Sequence, residues 1–453
     1  MERKHSAPVS PAFMVSAPGK VIVFGEHAAV YGEPAIAAAI SLRSYLLVTT
    51  LSNSNRTIRL NFQDIGLDHT WKINALPWKV AQLSSKSNNY SAPDTLDPEL
   101  FDAVKPHAEA VSKEFPEKQR KIHITSAAAF LYLFLSLGSP ESYGCVYTLR
   151  STIPIGAGLG SSASVCVCMS SALLLQTRSL SQPYPDQTAE EAEERVKRIN
   201  DWAFVGEMCI HGNPSGVDNV VSVRGKAVVF QRNDSGPPSV TPLTTFPKLP
   251  LLLINTQQPR STAALVGQVK SLKQNIPLIT ESLLRGIGQL TTTAIELIRS
   301  ANFGSVNNEE FNDVEHLGTL MRMNHGLLVS LGVSHPKLER VRALVDHSGI
   351  GWTKLTGAGG GGCAITLCRN DVDETLQELE QQFKPEGFQI YKTVLSADGV
   401  GVLWPAVLRD ETGAEAAEPI DQAKFENAVD MEGIEKLVGV GMELHRAGWK
   451  FWT

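Results

Sequence analysis

Residues Pro154–Val165 read PIGAGLGSSASV. Three glycines, Gly156, Gly158 and Gly160, alternate directly before two serines and an apolar run of helical character. Glycines ahead of a helix let a backbone come close to something and adopt a positive φ. Two nucleotide-binding patterns fail here on spacing. The G-x-x-x-x-G-K-[ST] loop needs a lysine, and none precedes Ser161. The G-x-G-x-x-G pattern would end on Ser161 or Ala163, and no early acidic partner on a βαβ unit accompanies it. The physics of anion binding survives both failures. A helix starting near Ser161 offers free N–H groups and the positive end of its dipole. Ser161 and Ser162 can cap that helix, or give a hydroxyl to phosphate or to Mg²⁺. A tight strand-to-helix turn with a serine N-cap also accounts for the stretch taken alone. Any lysine must come from elsewhere in the chain.

The surrounding chain narrows the choice. At 453 residues it is too long for one ordinary core, so two domains are expected. Hydrophobic residues at 43% and charged residues at 19% belong to a folded soluble protein. A net charge of -6 gives no basic footprint for nucleic acid or an anionic membrane. Six cysteines, Cys145, Cys166, Cys168, Cys209, Cys363 and Cys368, form no C-x-x-C pair and no zinc-like cluster. They read as buried reduced thiols, which favours a reducing compartment. The first thirteen residues have charges but no apolar h-region, so a signal peptide is not expected. The apolar run Ala127–Leu137 is too short to span a bilayer. Lys450–Thr453 is no peroxisomal address. The cytoplasm is the expected location.

Pattern along the chain predicts alternating strands and helices. Residues 13–24 read as strand, turn, strand, and residues 35–50 end as a strand. Val146–Ile153 is a strand leading into the glycine stretch, and Ala163–Gln176 is a buried helix. Thr188–Ile210 carries a helical pattern with acid at its start and Gly212 and Pro214 beyond its end. Strands are expected at 226–231, 249–255 and 389–394, and helices over 260–302, 308–331 and 336–348. A strand–turn–strand segment is expected around 354–368. Ser84–Asp94 reads as a polar loop, Arg232–Pro242 as a linker between halves, and Asp410–Asp421 as a flexible acidic connection. Residues 425–452 recover helical character and two tryptophans, and are expected to dock on the body.

Two further clusters accompany the glycine stretch. Ser16–Gly32 reads SAPGKVIVFGEHAAVYG and sets Lys20, Glu26 and His27 around glycine-marked turns. Thr356–Cys363 reads TGAGGGGC, with five glycines among the six positions from Gly357 to Gly362. Such a loop can lay backbone amides on an anion, let one domain approach another closely, or form a flexible hairpin tip.

Together, and in this order, the three clusters resemble the motifs of the GHMP small-molecule kinases. The similarity is strongest to the members that phosphorylate mevalonate. It is carried also by Trp202–Asn219 (WAFVGEMCIHGNPSGVDN), Asn255–Val266 (NTQQPRSTAALV) and KLTGAGGGGC from Lys354. It covers most of residues 14–405. The resemblance implies an α+β fold, with a ribosomal-protein-S5-like N-terminal domain (1–240) and a ferredoxin-like C-terminal domain (241–408). The active site would lie in the cleft between them. Residues 409–453 would add a flexible acidic connection and a C-terminal helix docked on the body.

The activity implied is transfer of the ATP γ-phosphoryl to the primary hydroxyl of mevalonate, on the route to isoprenoids and sterols. Asp218 matches the acidic catalytic residue, and Lys20 the lysine that pairs with it and faces phosphate. A lysine beside it lowers an aspartate's pKa, so it orients the carboxylate rather than making it more basic. Glu207 and Ser162 match the ligands of Mg²⁺, an ion that seldom uses an all-protein cage. Gly156, Ala157, Gly158, Leu159, Gly160, Ser161 and Ser162 would wrap the phosphates, with Ser151 a nearby nucleotide contact. Glu26, His27 and Thr262 resemble residues of the mevalonate pocket. Arg260 is read either as a bidentate partner of the substrate carboxylate or as an exposed charge at a helix start. Asp64 stands where animal relatives have an asparagine near the adenine. The resemblance also implies a homodimer and inhibition by prenyl diphosphates at the ATP site. Two rivals stay open: another GHMP kinase such as phosphomevalonate kinase, and a sensor that binds ATP without turnover.

Overall fold

The computed structural model describes residues 10–85, 95–184, 186–233, 236, 238–300, 309–369, 373–408, 418–438, 440 and 448–452. Most of the polar loop expected at Ser84–Asp94, and the first part of the acidic connection, lie outside them.

The fold is α+β and centres on two sheets. The larger contains β1 (Phe13–Phe24), β2 (Ala35–Thr50), β3 (Thr57–Phe62), β4 (Leu67–Lys72) and β5 (Cys145–Ser151). To these it adds β6 (Ala227–Gln231) and β7 (Ser239–Leu243). The second sheet orders β11-β8-β10-β9, all antiparallel, from β8 (Pro250–Asn255), β9 (Gly351–Leu355), β10 (Cys363–Cys368) and β11 (Gln389–Val394). The chain then returns to the first sheet with β12 (Gly401–Leu403) and β15 (Lys450–Phe451). Its order is β15-β12-β1-β2-β5-β3-β4, with β6 on β2 and β7 on β6. A two-residue ladder joins β13 (Val407–Leu408) to β14 (Glu418–Pro419).

Two expectations are corrected here. Residues 13–24 form one strand, not two around a turn. The register on β2 shifts between Pro18 and Gly19, where Pro18 has no N–H to donate, so the turn-like residues make a bulge. Arg232–Pro242 is not a linker. Its second half is β7, which pairs with β6 and crosses the 240/241 boundary expected from the sequence. Among the described residues β7 has β6 as its one neighbour, and such an edge strand tolerates Pro242.

Helices cover the sheets because each has an apolar face to bury. Helices α1 (Trp78–Ser85), α2 (Pro98–Glu109), α3 (Glu117–Leu137), α4 (Ser161–Gln176) and α5 (Ala189–His211) share a core with one face of the first sheet. The apolar run Ala127–Leu137 is the buried end of α3, inside that core. No helix among the described residues is long and apolar enough to cross a membrane. All six cysteines are free and buried. The short helix α6 (Val217–Arg224) lies beside β1 and β6.

The second sheet packs with α7 (Thr262–Asn275), α8 (Pro277–Ser300), α9 (Glu309–Ser330), α10 (Pro336–Ser348) and α11 (Asp373–Phe383). A further core joins both halves, placing Val21, Val23 and Ile36 with Leu251, Leu253, Ile365 and α8. The late helices α12 (Gln422–Glu426) and α13 (Asp430–Val438) lie on the opposite face of the first sheet, over Met14, Tyr45 and Leu47. Trp452 is 0% exposed, with its indole N–H on Ser181 O at 3.0 Å.

Candidate active site

The bulge at Pro18/Gly19 brings β1 against the glycine stretch. A Cβ on Gly19 would stand 2.9 Å from Leu159 O, and Lys20 N donates to the same oxygen at 2.9 Å. Lys20 is thereby aimed along the loop. Its ammonium, on a residue 7% exposed, lies 3.4 Å from Gly158 O and 3.2 Å from Asp218 Oδ1. Asp218 sits in the first turn of α6, whose N-cap Gly216 is left-handed.

The three glycines of the loop have three different surroundings. A Cβ on Gly160 would meet Lys20 Cγ at 3.1 Å and Asp218 Oδ2 at 3.6 Å. One on Gly158 would stand 1.9 Å from Arg260 Nη2. One on Gly156 would meet nothing within 4 Å. Gly160 thus gives room to the lysine and aspartate, Gly158 to an arginine, and Gly156 faces open space. Helix α4 follows with Gly160 as its N-cap, at φ 70°, and no side chain caps it. Of the two readings open for the serines, the N-cap is the one the structure removes, and Ser161 and Ser162 keep their hydroxyls for other partners.

Ser162, Glu207 and His211 converge at the start of α4. Ser162 Oγ is 3.1 Å from His211 Nε2, which is 3.8 Å from Glu207 Oε1. Glu207 is 4% exposed, and its Oε1 has no hydrogen-bond partner. Burial raises its pKa. A hydrogen bond with Ser162 and the charges of His211 and Lys20 oppose this, while Asp218 adds to it. An orphaned carboxylate oxygen beside a hydroxyl fits a hard divalent cation that takes its other ligands from a nucleotide and water. No cluster of three or more His, Cys, Asp or Glu residues among the described ones could hold a metal unaided. His211 was not foreseen, although its position one helical turn beyond Glu207 was a readable signal.

The residues expected around an acceptor are placed less uniformly. His27 has φ 61° and its Nε2 lies 2.9 Å from Ala358 O, so that nitrogen carries the proton. Burial lowers its pKa. Glu26 does not present its carboxylate to the cleft. It is 2% exposed, paired with the buried Lys354 ammonium and accepting from Asn324 Nδ2 at 3.0 Å. Thr262 is exposed in the first turn of α7, behind the N-cap Ser261. The Ser151 hydroxyl lies 3.2 Å from both Ser44 Oγ and Ile153 N, and its amide donates to Asp64 Oδ2 at 2.7 Å. Asp64 also pairs with Arg150 at 3.2 Å, and Arg150 reaches the carbonyls of Phe425, Glu426 and Ala428. Arg260 is half-buried rather than an exposed charge, and two of its five N–H donors are taken by backbone carbonyls. Its Nη1 donates to Thr356 O and its Nη2 to Ala157 O, each at 3.1 Å.

The arrangement holds a cation beside a carboxylate, at the mouth of a loop shaped for an anion. That is the equipment of phosphoryl transfer to a hydroxyl. Two family models match the chain: the GHMP kinases N terminal domain over residues 123–226 and GHMP kinases C terminal over 297–385. Mevalonate kinase of Aspergillus fumigatus is 64% identical over all of this chain and 84% of its own. Mevalonate kinase of Gibberella zeae is 60% identical over all of this chain and 90% of its own. The crystal structure of L. major mevalonate kinase in complex with R-mevalonate superposes with a TM-score of 0.62 at 23% identity. It covers 87% of this chain and 99% of that one, and confirms the fold. The chain belongs to the mevalonate kinase family, within the GHMP kinases.

Proposed function

We propose that the protein transfers the γ-phosphoryl of ATP to the primary hydroxyl of mevalonate, giving 5-phosphomevalonate. The observation that carries this reading is the Lys20–Asp218 pair at 3.2 Å, set against Gly160 of the anion loop. The identity to curated mevalonate kinases over the full chain supports the substrate.

The chain's own residues divide the work. The amides of residues 156–162 and the N-terminus of α4 receive the phosphates. The Lys20 ammonium neutralises charge developing on the transferred group, and its ion pair at 3.2 Å fixes the direction of the Asp218 carboxylate. Asp218 accepts a hydrogen bond from the acceptor hydroxyl, orients it, and is the nearest carboxylate to receive its proton. Ser162 and Glu207 would hold Mg²⁺, which supplies charge neutralisation on the nucleotide. His27 and Thr262 stand on the acceptor side, while Glu26 shapes that wall through Lys354 rather than by direct contact. Asp64 and Ser151 brace one another on the nucleotide side.

We place the reaction in the cytoplasm, on the isoprenoid and sterol route, and the six free buried cysteines support a reducing compartment. A homodimer and competition of prenyl diphosphates with ATP are taken from the family resemblance. Sedimentation as a monomer would remove the first. Unaltered ATP kinetics in saturating farnesyl diphosphate would remove the second.

The test is ADP release with Mg-ATP and mevalonate, beside phosphomevalonate, galactose and homoserine, with Asp218→Asn as control. Turnover on mevalonate alone is expected, reduced about 10²–10⁴-fold in the variant. Turnover on another acceptor would overturn the substrate. ATP binding without turnover would make the protein a sensor.

A further inference from the structure

Arg260 is the residue of the cleft that this mechanism leaves unused. Its guanidinium bridges the two glycine-rich loops, one carbonyl from each: Ala157 O of the anion loop and Thr356 O at the start of the late loop. Three glycines make the space it occupies. A Cβ on Gly158 would stand 1.9 Å from Nη2, one on Gly357 3.3 Å from Nη2, and one on Gly362 2.8 Å from Cζ. The arginine thus explains a glycine in each loop that phosphate contact alone would not require. It is half-buried, and no carboxylate pairs with it among the described residues. Carbonyl dipoles alone face its charge. A guanidinium stays ionised, so an anion arriving at the loop supplies the missing counter-charge.

We propose that Arg260 is a positioning residue that bolts the anion loop to the late loop, and that binding of the nucleotide's phosphates tightens the bolt. The proposal rests on the kinase reading above for the nature of the anion. It assigns Arg260 no contact with the acceptor carboxylate. A lysine is a poor substitute, because a single ammonium on a flexible stem cannot hold two carbonyls in the fixed spread of a guanidinium.

The test uses the full chain with Arg260→Lys, Arg260→Ala, Gly158→Ala and the double variant Arg260→Ala/Gly158→Ala. Mg-ADP and Mg-ATP affinities are measured by calorimetry, with kcat and both KM values alongside. Arg260→Ala is expected to lose about 10-fold or more in Mg-ATP affinity and in kcat, with the KM for mevalonate changed less than about 3-fold. Arg260→Lys is expected to lie nearer Ala than wild type. Gly158→Ala evicts the guanidinium from the other side, so the double variant is expected to be little worse than either single one. Guanidinium ion at sub-denaturing concentration is expected to restore part of the rate in Arg260→Ala and none in wild type. A merely structural role would lower thermal stability without that split in KM or that rescue. Unchanged Mg-ATP affinity in Arg260→Ala, additive losses in the double variant, or a rise confined to the mevalonate KM would each overturn the proposal. The nucleotide arms need no acceptor. If wild type binds Mg-ATP yet ignores mevalonate, the substrate reading fails while the bolt is still judged.

Discussion

The two glycine-rich loops of the cleft have similar composition and opposite construction. In residues 156–160 the glycines clear space for side chains, Lys20 and Arg260, and leave Gly156 open. In residues 357–362 they mostly let backbone and core press in. A Cβ on Gly359 would stand 2.0 Å from Val333 O, one on Gly360 2.8 Å from Leu265 Cδ1, and one on Gly361 2.6 Å from Gln258 Cγ. Backbone bonds fix the second loop, from Gly360 N to Val333 O at 2.8 Å and from Gly362 N to Gln258 O at 3.0 Å. The late loop is therefore no flexible hairpin tip. It is a braced frame through which the two halves meet, with His27 on Ala358 O and the Thr356 hydroxyl on Ile22 of β1. The first loop is shaped for what enters the cleft, the second for what surrounds it.

The contrast can be broken first at the root of the late loop. Glu26→Gln leaves the Lys354 ammonium, on β9, buried without its counter-ion. A loss of about 3–5 kcal/mol is expected in urea unfolding. A change below about 1 kcal/mol would show that the late loop has no braced root. The loops themselves can be compared by one methyl group each. Gly359→Ala drives a Cβ into the Val333 carbonyl at a positive φ, and roughly 3 kcal/mol of stability should be lost. Gly156→Ala, at a positive φ but in open space, should cost about 1 kcal/mol and act mainly as a raised KM for ATP. Equal stability losses in the two variants would erase the distinction.

The smallest effect concerns pH. Burial lowers the pKa of His27, which holds the late loop, and of His325, whose Nδ1 accepts from Leu355 N at the loop's base. A lowered histidine pKa means that the unfolded chain binds the proton more readily. Stability is then full above about pH 6.5, the unfolded value, and is lost as pH falls through the folded values. Each unit of lowering is worth about 1.4 kcal/mol. Urea midpoints should fall between pH 7.5 and 5.5, with a shallower fall in His325→Gln. A slope unchanged in that variant would remove His325 from the account.

Much of this was legible because the chemistry is concentrated in short stretches. Lys20, Asp218, Ser162 and Glu207 could be picked out by motif, and the structure brings them together. The long helices declared themselves by period, and α5 by its Thr188–Glu191 capping box. What could not be read was long-range pairing. RNDSGPPSVTP has the composition of a linker, and only its pairing with β6 makes half of it a strand. Arg260 could not be assigned before residues 157 and 356 were known to lie on either side of it. Glu26 looked like a cleft residue until Lys354 and Asn324, some three hundred positions away, took its two oxygens.

The return of β12 and β15 to the first sheet has a consequence for synthesis. Strand β1 leaves the ribosome early, yet its antiparallel neighbour β12 comes from residues 401–403, and β15, from residues 450–451, pairs beyond it. At ordinary elongation rates the wait is on the order of tens of seconds. Through that interval the Met14–Leu403 side of β1 is an open sheet edge, which a nascent chain must keep from pairing with another copy. Arrested or truncated translation would therefore expose the first sheet long after its own helices have folded.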